Sequence, residues 1–484
     1  MTEANRARWL ALYVLCLGDL MIVLDGTIVN VALPTIRDDL GFSQTSLAWV
    51  VNAYLLTFGG FLLLGGRLGD LFGHKRLFLI GISIFTTASL FCGIATSQGL
   101  LVTARAVQGI GGAIVSAVAL SLLMTLFTET ADRAKAMGVF GFVLSGGGVI
   151  GVLLGGFLTD LLNWHWIFFI NLPVGVAVYF LTLRLIPGQV HAEAARGRLD
   201  VGGAVTITSS LILAVYAIVN GNDTGWTSGE TLGLLAGALA LFAAFLVIES
   251  RVAAPLVPLS LFRNRTVTTA NVIGVLMAGG MFAYFFFSAL YMQLVLEYSP
   301  LEVGFAYLPS TVIWGASSLL LSDRLVMKFG IRPPLMGGIA LMLGALLLLA
   351  RAPVDANYFV DVLPATILLG IGAGVAFNPI LLAAMSGVSP AQAGLASGVV
   401  NTSFMMGGAL GLAIMASLAD WRTTSLTNSG EARLTALNGG YHLALLVGAA
   451  FAATAVLITA LLLKPGEVSS HEVAEGGGVP ATAE

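Results

Sequence analysis

Fourteen apolar runs divide the sequence almost from end to end, and each is long enough to cross a bilayer as an α-helix. Only 10% of the 484 residues are charged and the mean hydropathy is +0.95, whereas soluble domains carry about 25% charged residues. We therefore predict an all-α integral membrane protein with 14 spans. The runs lie at about residues 10–33, 46–66, 77–96, 99–124, 136–159, 166–186, 201–219, 231–248, 267–296, 303–322, 334–350, 358–384, 396–419 and 441–463.

The distribution of basic residues predicts the orientation of the chain. With a cytoplasmic N-terminus, 17 of the 22 Lys and Arg residues fall in inside segments and four in outside segments, and only Arg105 lies within a span. Basic residues favour the cytoplasmic side of a membrane. We therefore expect a multi-pass protein of the cell (cytoplasmic) membrane with both termini cytoplasmic.

A repeated loop pattern predicts two related halves. Gly66–Arg76 follows span 2, and Asp323–Pro333, which also combines Asp, Gly and basic residues, follows span 10. If spans 7 and 8 are an insertion, each loop follows the second span of a six-span half, a common plan in secondary transporters. The predicted divisions are a six-helix bundle (1–186), linkers with two extra spans (187–266), a second six-helix bundle (267–463) and a disordered cytoplasmic tail (464–484).

Asp25 places a carboxylate inside span 1, where insertion costs at least about 2.5 kcal/mol. Such a group is seldom kept without a use, and the simplest use is to carry a proton. Helical rise puts Asp25 roughly 12 Å and Arg105, in span 4, roughly 9 Å below the outer surface. Arg105 would favour ionised Asp25 if the two side chains meet. Alternatively, Arg105 extends outward or binds carbonyl groups at a span end.

Asp19 is a second carboxylate of span 1, near the midplane. Six residues from Asp25 correspond to about 600° of helical rotation, so the two side chains face different sides. We weigh two interpretations equally: a second site for a proton or cation, and a carboxyl group hydrogen-bonded to neighbouring helices.

Two glycine-rich patterns are candidates for the conformational machinery. In the loop after span 2, an acid could form a latch across the gap between the halves, although a plain basic turn is the alternative. In span 5, glycines at fourth positions predict close helix packing, which is also the ordinary use of small residues in membranes. The candidate residues are Gly66, Asp70, Gly73, Lys75 and Arg76 in the loop, and Gly147, Gly151, Gly155 and Gly156 in span 5.

Polar and aromatic side chains within the spans are candidates for a substrate cavity. Span 9 is crowded with aromatic residues, which either line a cavity for flat or cationic ligands or face lipid. The candidate cavity residues are Asn52, Tyr54, Gln108, Tyr284, Tyr291, Gln293, Asn378 and Asn401.

Several classes of function are disfavoured. The two cysteines lie in apolar runs and the five histidines are scattered, so we expect no disulfide, no metal site and no catalytic residues. The glycines of 146–151 lie in an apolar helix without a preceding strand, and no lysine completes a Walker A motif. The sequence contains no block of basic residues of the kind that binds nucleic acid. We expect no cofactor and no enzyme, and flux through a channel is equally disfavoured.

These motifs together resemble a known family. From about Leu10 to Lys464 the chain is similar to the fourteen-span drug:proton antiporters of the major facilitator superfamily, the multidrug-resistance branch. The resemblance rests on Leu24–Pro34, the Gly66–Arg76 loop, Arg105 with Gly109, the span 5 glycines, and Tyr291–Leu294 with Ser299–Gly304. It implies two six-span bundles, two extra spans between them, and export in exchange for protons. By the same resemblance Asp25 is the protonatable residue, Arg105 its proton-transfer partner and Asp70 the gating acid.

Three positions depart from the family's pattern. Val152 stands where a proline usually follows the third span 5 glycine, which puts the local helix distortion in doubt. His165 stands between two tryptophans where similar proteins often carry arginine. Phe404 and Met405 replace an Arg-Gln pair that many relatives have in span 13, which favours a bulky apolar substrate.

We therefore predict a proton-coupled exporter that expels hydrophobic or cationic drugs by alternating access. The alternative is an exporter dedicated to one metabolite, such as a self-made antibiotic or a siderophore. The expected partners are a drug-like small molecule, protons and the lipid bilayer, and the chain is expected to act as a monomer.

Overall fold

The computed structural model of the chain describes residues 3–127, 129–186, 199–386, 388 and 390–463. The predicted disordered tail (464–484) and most of the first predicted linker (187–198) lie outside the described residues. The α-helices of the described part are α1 (Glu3–Leu40), α2 (Ala48–Phe72), α3 (His74–Gly93), α4 (Gln98–Leu126), α5 (Thr130–Leu161), α6 (Trp166–Phe169), α7 (Asn171–Leu185), α8 (Val201–Thr224), α9 (Gly229–Arg251), α10 (Arg265–Leu294), α11 (Pro300–Ser317), α12 (Asp323–Phe329), α13 (Arg332–Leu349), α14 (Leu363–Met385), α15 (Pro390–Asn428) and α16 (Arg433–Leu462).

Fourteen helical segments in the described residues are long and apolar enough to cross a membrane, and each coincides with one predicted span. The prediction of an all-α membrane fold is confirmed. Several helices are longer than their apolar runs; α1, for example, covers Glu3–Leu40. Hydropathy marks only the residues that suit hydrocarbon, whereas backbone hydrogen bonding continues into the interface, so the helix outlasts the apolar run.

Span 6 is broken into α6 and α7, which meet at Ile170. Pro173 explains the break, because its ring would clash with the carbonyl group of Phe169, four residues earlier, and it has no N–H to donate. Span 10 is also composite, since a π-helical turn (Ser318–Ser322) joins α11 to α12. The break in span 6 places Asn171, a buried polar residue, at the start of α7.

The helices pack in two groups. In the first, α4 contacts α2 and α3, and α1 contacts α5 and α7; in the second, α10 contacts α15 and α16, and α13 contacts α14 and α16. The groups meet along two seams, α5 against α11 and α2 against α15. A site between the halves is therefore bounded by these two seams.

The two groups touch at the end of the molecule where α1 and α5 finish, which we call the outer end after the predicted orientation. Gln293 Nε2 donates to the carbonyl oxygen of Val31 at 2.8 Å and so joins α10 to α1. A Cβ atom at Gly156 would lie 2.7 Å from the carbonyl oxygen of Pro300, and one at Gly304 would lie 3.2 Å from that of Val152. The outer ends of α5 and α11 are thus in backbone contact.

The extra helices α8 and α9 form a hairpin that leans on the second seam. Helix α8 contacts both α2 and α15. Thr208 occupies the space beside Gly60, where any Cβ atom would strike its hydroxyl group. Near the outer end, Asn222 Nδ2 donates to the carbonyl oxygen of Ser417 at 2.7 Å. The insertion therefore covers the α2–α15 seam and is attached to both halves.

Candidate functional site

Asp25 and Arg105 form a buried ion pair between α1 and α4. Each residue is 1% exposed, and Arg105 Nη1 donates directly to Asp25 Oδ2. The sequence left open whether the two side chains meet or lie apart at similar depth, and the structure places them in contact. Among the described residues, no other salt bridge has both side chains fully buried.

Arg105 has further partners that do not depend on Asp25. Its Nε donates to the carbonyl oxygen of Val50 at 3.0 Å, and its Nη1 also donates to Gln108 Oε1 at 2.7 Å. The guanidinium lies over the ring of Tyr54, with 4.3 Å between Cζ and the ring centroid. A cation over an aromatic face is stabilised by the ring quadrupole. Arg105 therefore remains partly satisfied if Asp25 loses its charge.

Gln108 connects the ion pair to α3. It lies one turn after Arg105 on the same face of α4, and its side chain is fully buried. Its Nε2 donates to Asp25 Oδ1 and to Ser89 Oγ, both at 2.7 Å. The residue predicted to line a substrate cavity is thus part of the charged cluster in this conformation.

Asn171 and Ser89 complete the cluster, and the sequence analysis missed both. Asn171 Nδ2, at the start of α7, donates to Asp25 Oδ1 at 3.2 Å and to Ser89 Oγ at 3.4 Å. The available signal was an Asn at membrane depth two residues before a helix-breaking proline, in span 6, which supplied none of the predicted site residues. Five spans, namely 1, 2, 3, 4 and 6, thus contribute to one polar cluster around Asp25.

The hydrogen-bond distances predict a ranking of effects. Replacing Gln108 by Leu removes short bonds to Asp25, Ser89 and Arg105, whereas replacing Asn171 by Leu removes two longer ones. A hydrogen bond to a charged group contributes about 1.5–3 kcal/mol. We expect both variants to melt at lower temperature and transport more slowly, with Gln108→Leu the more severe. Thr103→Val, on the exposed face of α4, is the control; equal effects of all three variants would contradict the ranking.

Asp19 lies outside this cluster. Its Oδ1 accepts a hydrogen bond from Ser116 Oγ of α4 at 2.6 Å, and its Oδ2 is buried with no partner among the described residues. The bond to Ser116 fits the interpretation as a carboxyl group bonded to a neighbouring helix. The unpartnered oxygen leaves room for a proton, so both interpretations keep support.

The loop after span 2 has well-defined contacts on its own side of the molecule. Asp70, half exposed, lies 3.2 Å from His74 Nε2, one turn further along the chain, and among the described residues it forms no salt bridge to the second half. Lys75 Nζ donates to the carbonyl oxygens of Leu183 and Ile186 at the end of span 6, at 3.1 and 2.5 Å. Gly73 has a φ of 91°, which disfavours other residues.

The remaining loop candidates, Gly66 and Arg76, carry no comparable contact. No described residue lies within 4 Å of a Cβ atom at Gly66. Arg76 is exposed. Both positions fit a turn at the membrane surface.

The span 5 glycines contact two different helices. Cβ atoms at Gly147, Gly151 and Gly155 would all strike residues of α1, the helix that carries Asp25. Gly156 instead faces Pro300 at the start of α11. The glycine ladder therefore packs α5 closely on α1, and its last residue forms the outer contact between the halves.

The candidate cavity residues of the second half differ from expectation. Tyr284 and Tyr291 are 0% and 2% exposed, because they pack inside the second bundle. Their hydroxyl groups bond to Thr366 at 3.3 Å and to the carbonyl oxygen of Pro353 at 2.6 Å. Neither lines a cavity in this conformation. Crowding of aromatic residues on one helix does not distinguish residues of the bundle core from residues that line a cavity.

The other predicted cavity residues are scattered. Gln293 bridges the halves at the outer end, as described above. Asn378 Nδ2 lies 3.4 Å from Ser318 Oγ, and Asn401 is partly buried. Asn52 is fully buried, and neither of its amide atoms has a partner in the described part of the chain.

Comparison with known proteins identifies a family and several relatives. The profile described as Major Facilitator Superfamily matches residues 15–412. The chain is 38% identical over 458 residues to the puromycin resistance protein pur8 of Streptomyces alboniger, covering 94% of this chain and 90% of that one. It is 34% identical over 423 residues to the multidrug resistance protein Stp of Mycobacterium tuberculosis, covering 87% and 78%.

A solved structure shares the fold. A bacterial homologue of the human lysosomal transporter Spinster superposes with a TM-score of 0.66 at 16% sequence identity, covering 96% of this chain and 99% of that one. At this identity the likeness concerns the fold alone.

Proposed function

The chain belongs to the major facilitator superfamily, and we propose that it exports hydrophobic or cationic drug-like molecules in exchange for protons, by alternating access. The relatives named above support the direction of transport, since their names record resistance to antibiotics or drugs. The proton gradient would supply the energy without a cofactor. Following the predicted orientation, both termini would lie in the cytoplasm, and the chain would act as a monomer.

The observation that carries the proposal is the Asp25–Arg105 pair at the centre of the buried polar cluster. A buried carboxylate must be paired or neutralised. Protonation of Asp25 would weaken its attraction to Arg105, which would keep Val50, Gln108 and the Tyr54 ring as partners. Arg105 would therefore keep hydrogen bonds and an aromatic partner in either protonation state of Asp25, although its positive charge would have no buried counter-charge while Asp25 is neutral.

In the proposed cycle, Asp25 takes a proton from the outer side, where protonation favours release of the substrate and return of the site. It gives the proton to the inner side as the next substrate binds. Asp19, whose Oδ2 has no partner in the described residues, would be a second proton or cation site. Asp70 would form its latch to the second half only when the inner ends close.

A group of aromatic side chains in the second half favours an apolar substrate. Phe404 lies 6.2 Å from Phe282 and 5.8 Å from Phe377, measured between ring centroids. Phe282 packs on α15, since a Cβ atom at Gly408 would lie 2.5 Å from its ring. Phe404 itself is buried, whereas the partly exposed rings of Phe282 and Phe377 would offer an apolar surface to a bulky substrate.

A dedicated exporter is the second candidate, because one relative is named for resistance to a single antibiotic. Resistance profiles separate the two functions. Cells that express the chain would become resistant to several unrelated lipophilic compounds if it is a broad exporter, and to one chemical class if it is dedicated.

The direct test uses proteoliposomes with an imposed pH gradient. We expect a fluorescent lipophilic cation to move against the proton flow, and movement to stop when a protonophore collapses the gradient. Protein-free liposomes are the control. Transport that continues unchanged without a gradient would overturn proton coupling, and no transport of any compound in a diverse panel would overturn the broad substrate range.

A further inference from the structure

Two carboxyl groups are buried together at the inner end of the extra hairpin. Asp200, which precedes α8, is 4% exposed, and its Oδ1 accepts a hydrogen bond from the N–H of Gly203 at 2.7 Å. Glu249, near the end of α9, is 3% exposed, and its Oε2 accepts from the N–H of Val257 at 3.1 Å. In each side chain, one carboxyl oxygen thus accepts a hydrogen bond from a backbone N–H group.

The other two oxygens face the same point. A Cβ atom at Gly203 would lie 2.6 Å from Asp200 Oδ2 and 2.8 Å from Glu249 Oε1. Both oxygens are buried and have no hydrogen-bond donor among the described residues. Two ionised carboxylates are acceptors only and repel each other, whereas one proton between them makes a hydrogen bond and removes one charge.

In the part of the chain that the structure describes, the other compensation comes from backbone groups: the N-terminus of α8, which Asp200 caps, and the N–H of Leu256 beside Glu249. The connector 252–258 has no ionisable side chain, and Asp200 is the only carboxylate in the first turns of α8. Arg67 of α2 and Arg251 of α9 are exposed and make no hydrogen bond to the unpartnered oxygens, and Arg196 and Arg198, which precede Asp200, lie outside the described residues. Within the described residues, a proton is the ligand that fits the two unpartnered oxygens.

We propose that Asp200 and Glu249 bind one shared proton and so clasp the start of α8 to the end of α9 and to the connector that follows. This carboxyl clasp is separate from Asp25 and does not depend on the proposed export function. Leu256 of the connector packs with Leu64 of α2 and Ala204 of α8, beneath the α2–α15 seam. Loss of the proton would leave two buried negative charges and release the connector from α2.

The sign of the pH dependence follows from this arrangement. The clasp is complete while the shared proton is bound and weakens as rising pH removes it. Acidification of the inner side would therefore hold the hairpin against the first half, and alkalinisation would loosen it.

Hydrogen–deuterium exchange of the full chain in lipid nanodiscs tests the clasp. After correction for the intrinsic effect of pH, we expect the segment 249–258 to lose protection as pH rises. Glu249→Gln replaces the shared proton by an amide N–H, so it should keep the protection and abolish its pH dependence. Glu230→Gln, at the exposed start of α9, is the matched control and should behave as the unaltered chain.

An infrared measurement gives an independent result. At neutral pH we expect a protonated-carboxyl band that Glu249→Gln removes and Glu230→Gln leaves in place. Protection of 249–258 that is independent of pH in the unaltered chain, or a pH dependence that persists in Glu249→Gln, would overturn the proposal. None of these outcomes depends on transport, so failure of the clasp and failure of the export function can be told apart.

Discussion

Asp25→Asn is expected to abolish transport driven by a pH gradient, down to the level of protein-free liposomes. The substitution keeps the size of the side chain but removes the group that binds a proton, and it replaces one of the two accepting oxygens by an NH2 group that can only donate. It also leaves Arg105 as an uncompensated buried charge, and removing one partner of a buried pair costs about 3–5 kcal/mol. The measurement is proton-driven movement of the fluorescent cation in proteoliposomes, together with the melting temperature of the purified variant.

The double variant Asp25→Asn/Arg105→Gln separates coupling from stability. It removes both charges, so it should regain much of the stability lost in Asp25→Asn, because no bare cation remains in the cluster. It should not regain gradient-driven transport. If Asp25→Asn still transports at the normal rate with proton counterflow, the coupling proton resides elsewhere, and Asp19 becomes the first residue to replace.

The depth of Asp25 and Arg105 could be predicted because helical rise converts residue number into distance along the membrane normal. Their contact could not, since it depends on which helices become neighbours and how each is rotated. The same limit applies to Ser89. A serine in an apolar helix usually bonds to a carbonyl of its own turn, as this one does to Phe85 at 2.9 Å, and only packing adds Gln108 and Asn171.

The second half contains residues whose surroundings the sequence pattern could not predict. The crowding of aromatic residues on span 9 left a cavity and a lipid-facing stripe both open, and the structure instead packs Tyr284 and Tyr291 inside their own bundle and Phe282 against Gly408 of α15. Positions on one helix that face the bundle core and positions that face away from it differ by about 100–200° of rotation, which the composition of the helix cannot resolve. The proximity of Asp200 and Glu249 could not be predicted for a related reason, because nearly 50 residues separate the two carboxyl groups and only the hairpin brings them together.

Gly156→Val is expected to hold the outer ends of the two halves apart and to reduce transport strongly. Even a Cβ atom at this position would lie 2.7 Å from the carbonyl oxygen of Pro300 and 3.0 Å from the Cα of Leu301, and backbone atoms cannot move aside as a flexible side chain does. Overpacking of this kind costs about 1–3 kcal/mol. Because the cost falls only on the closed arrangement, it would shift the equilibrium about 5- to 150-fold toward outward opening.

Spin labels can report this shift directly, since the native cysteines, Cys16 and Cys92, are both buried. Labels on cysteines at Thr96 and Glu431, exposed positions at the outer ends of the two halves, should lie farther apart in Gly156→Val than in the unaltered chain. Gly148→Val is the matched control on the same helix, because no atom of the described part of the chain lies within 4 Å of a Cβ atom there. Equal distances and equal transport in the two variants would mean that the outer contact is not a closing surface. Slow transport with an unchanged label distance would instead assign Gly156 to the packing of α5 alone.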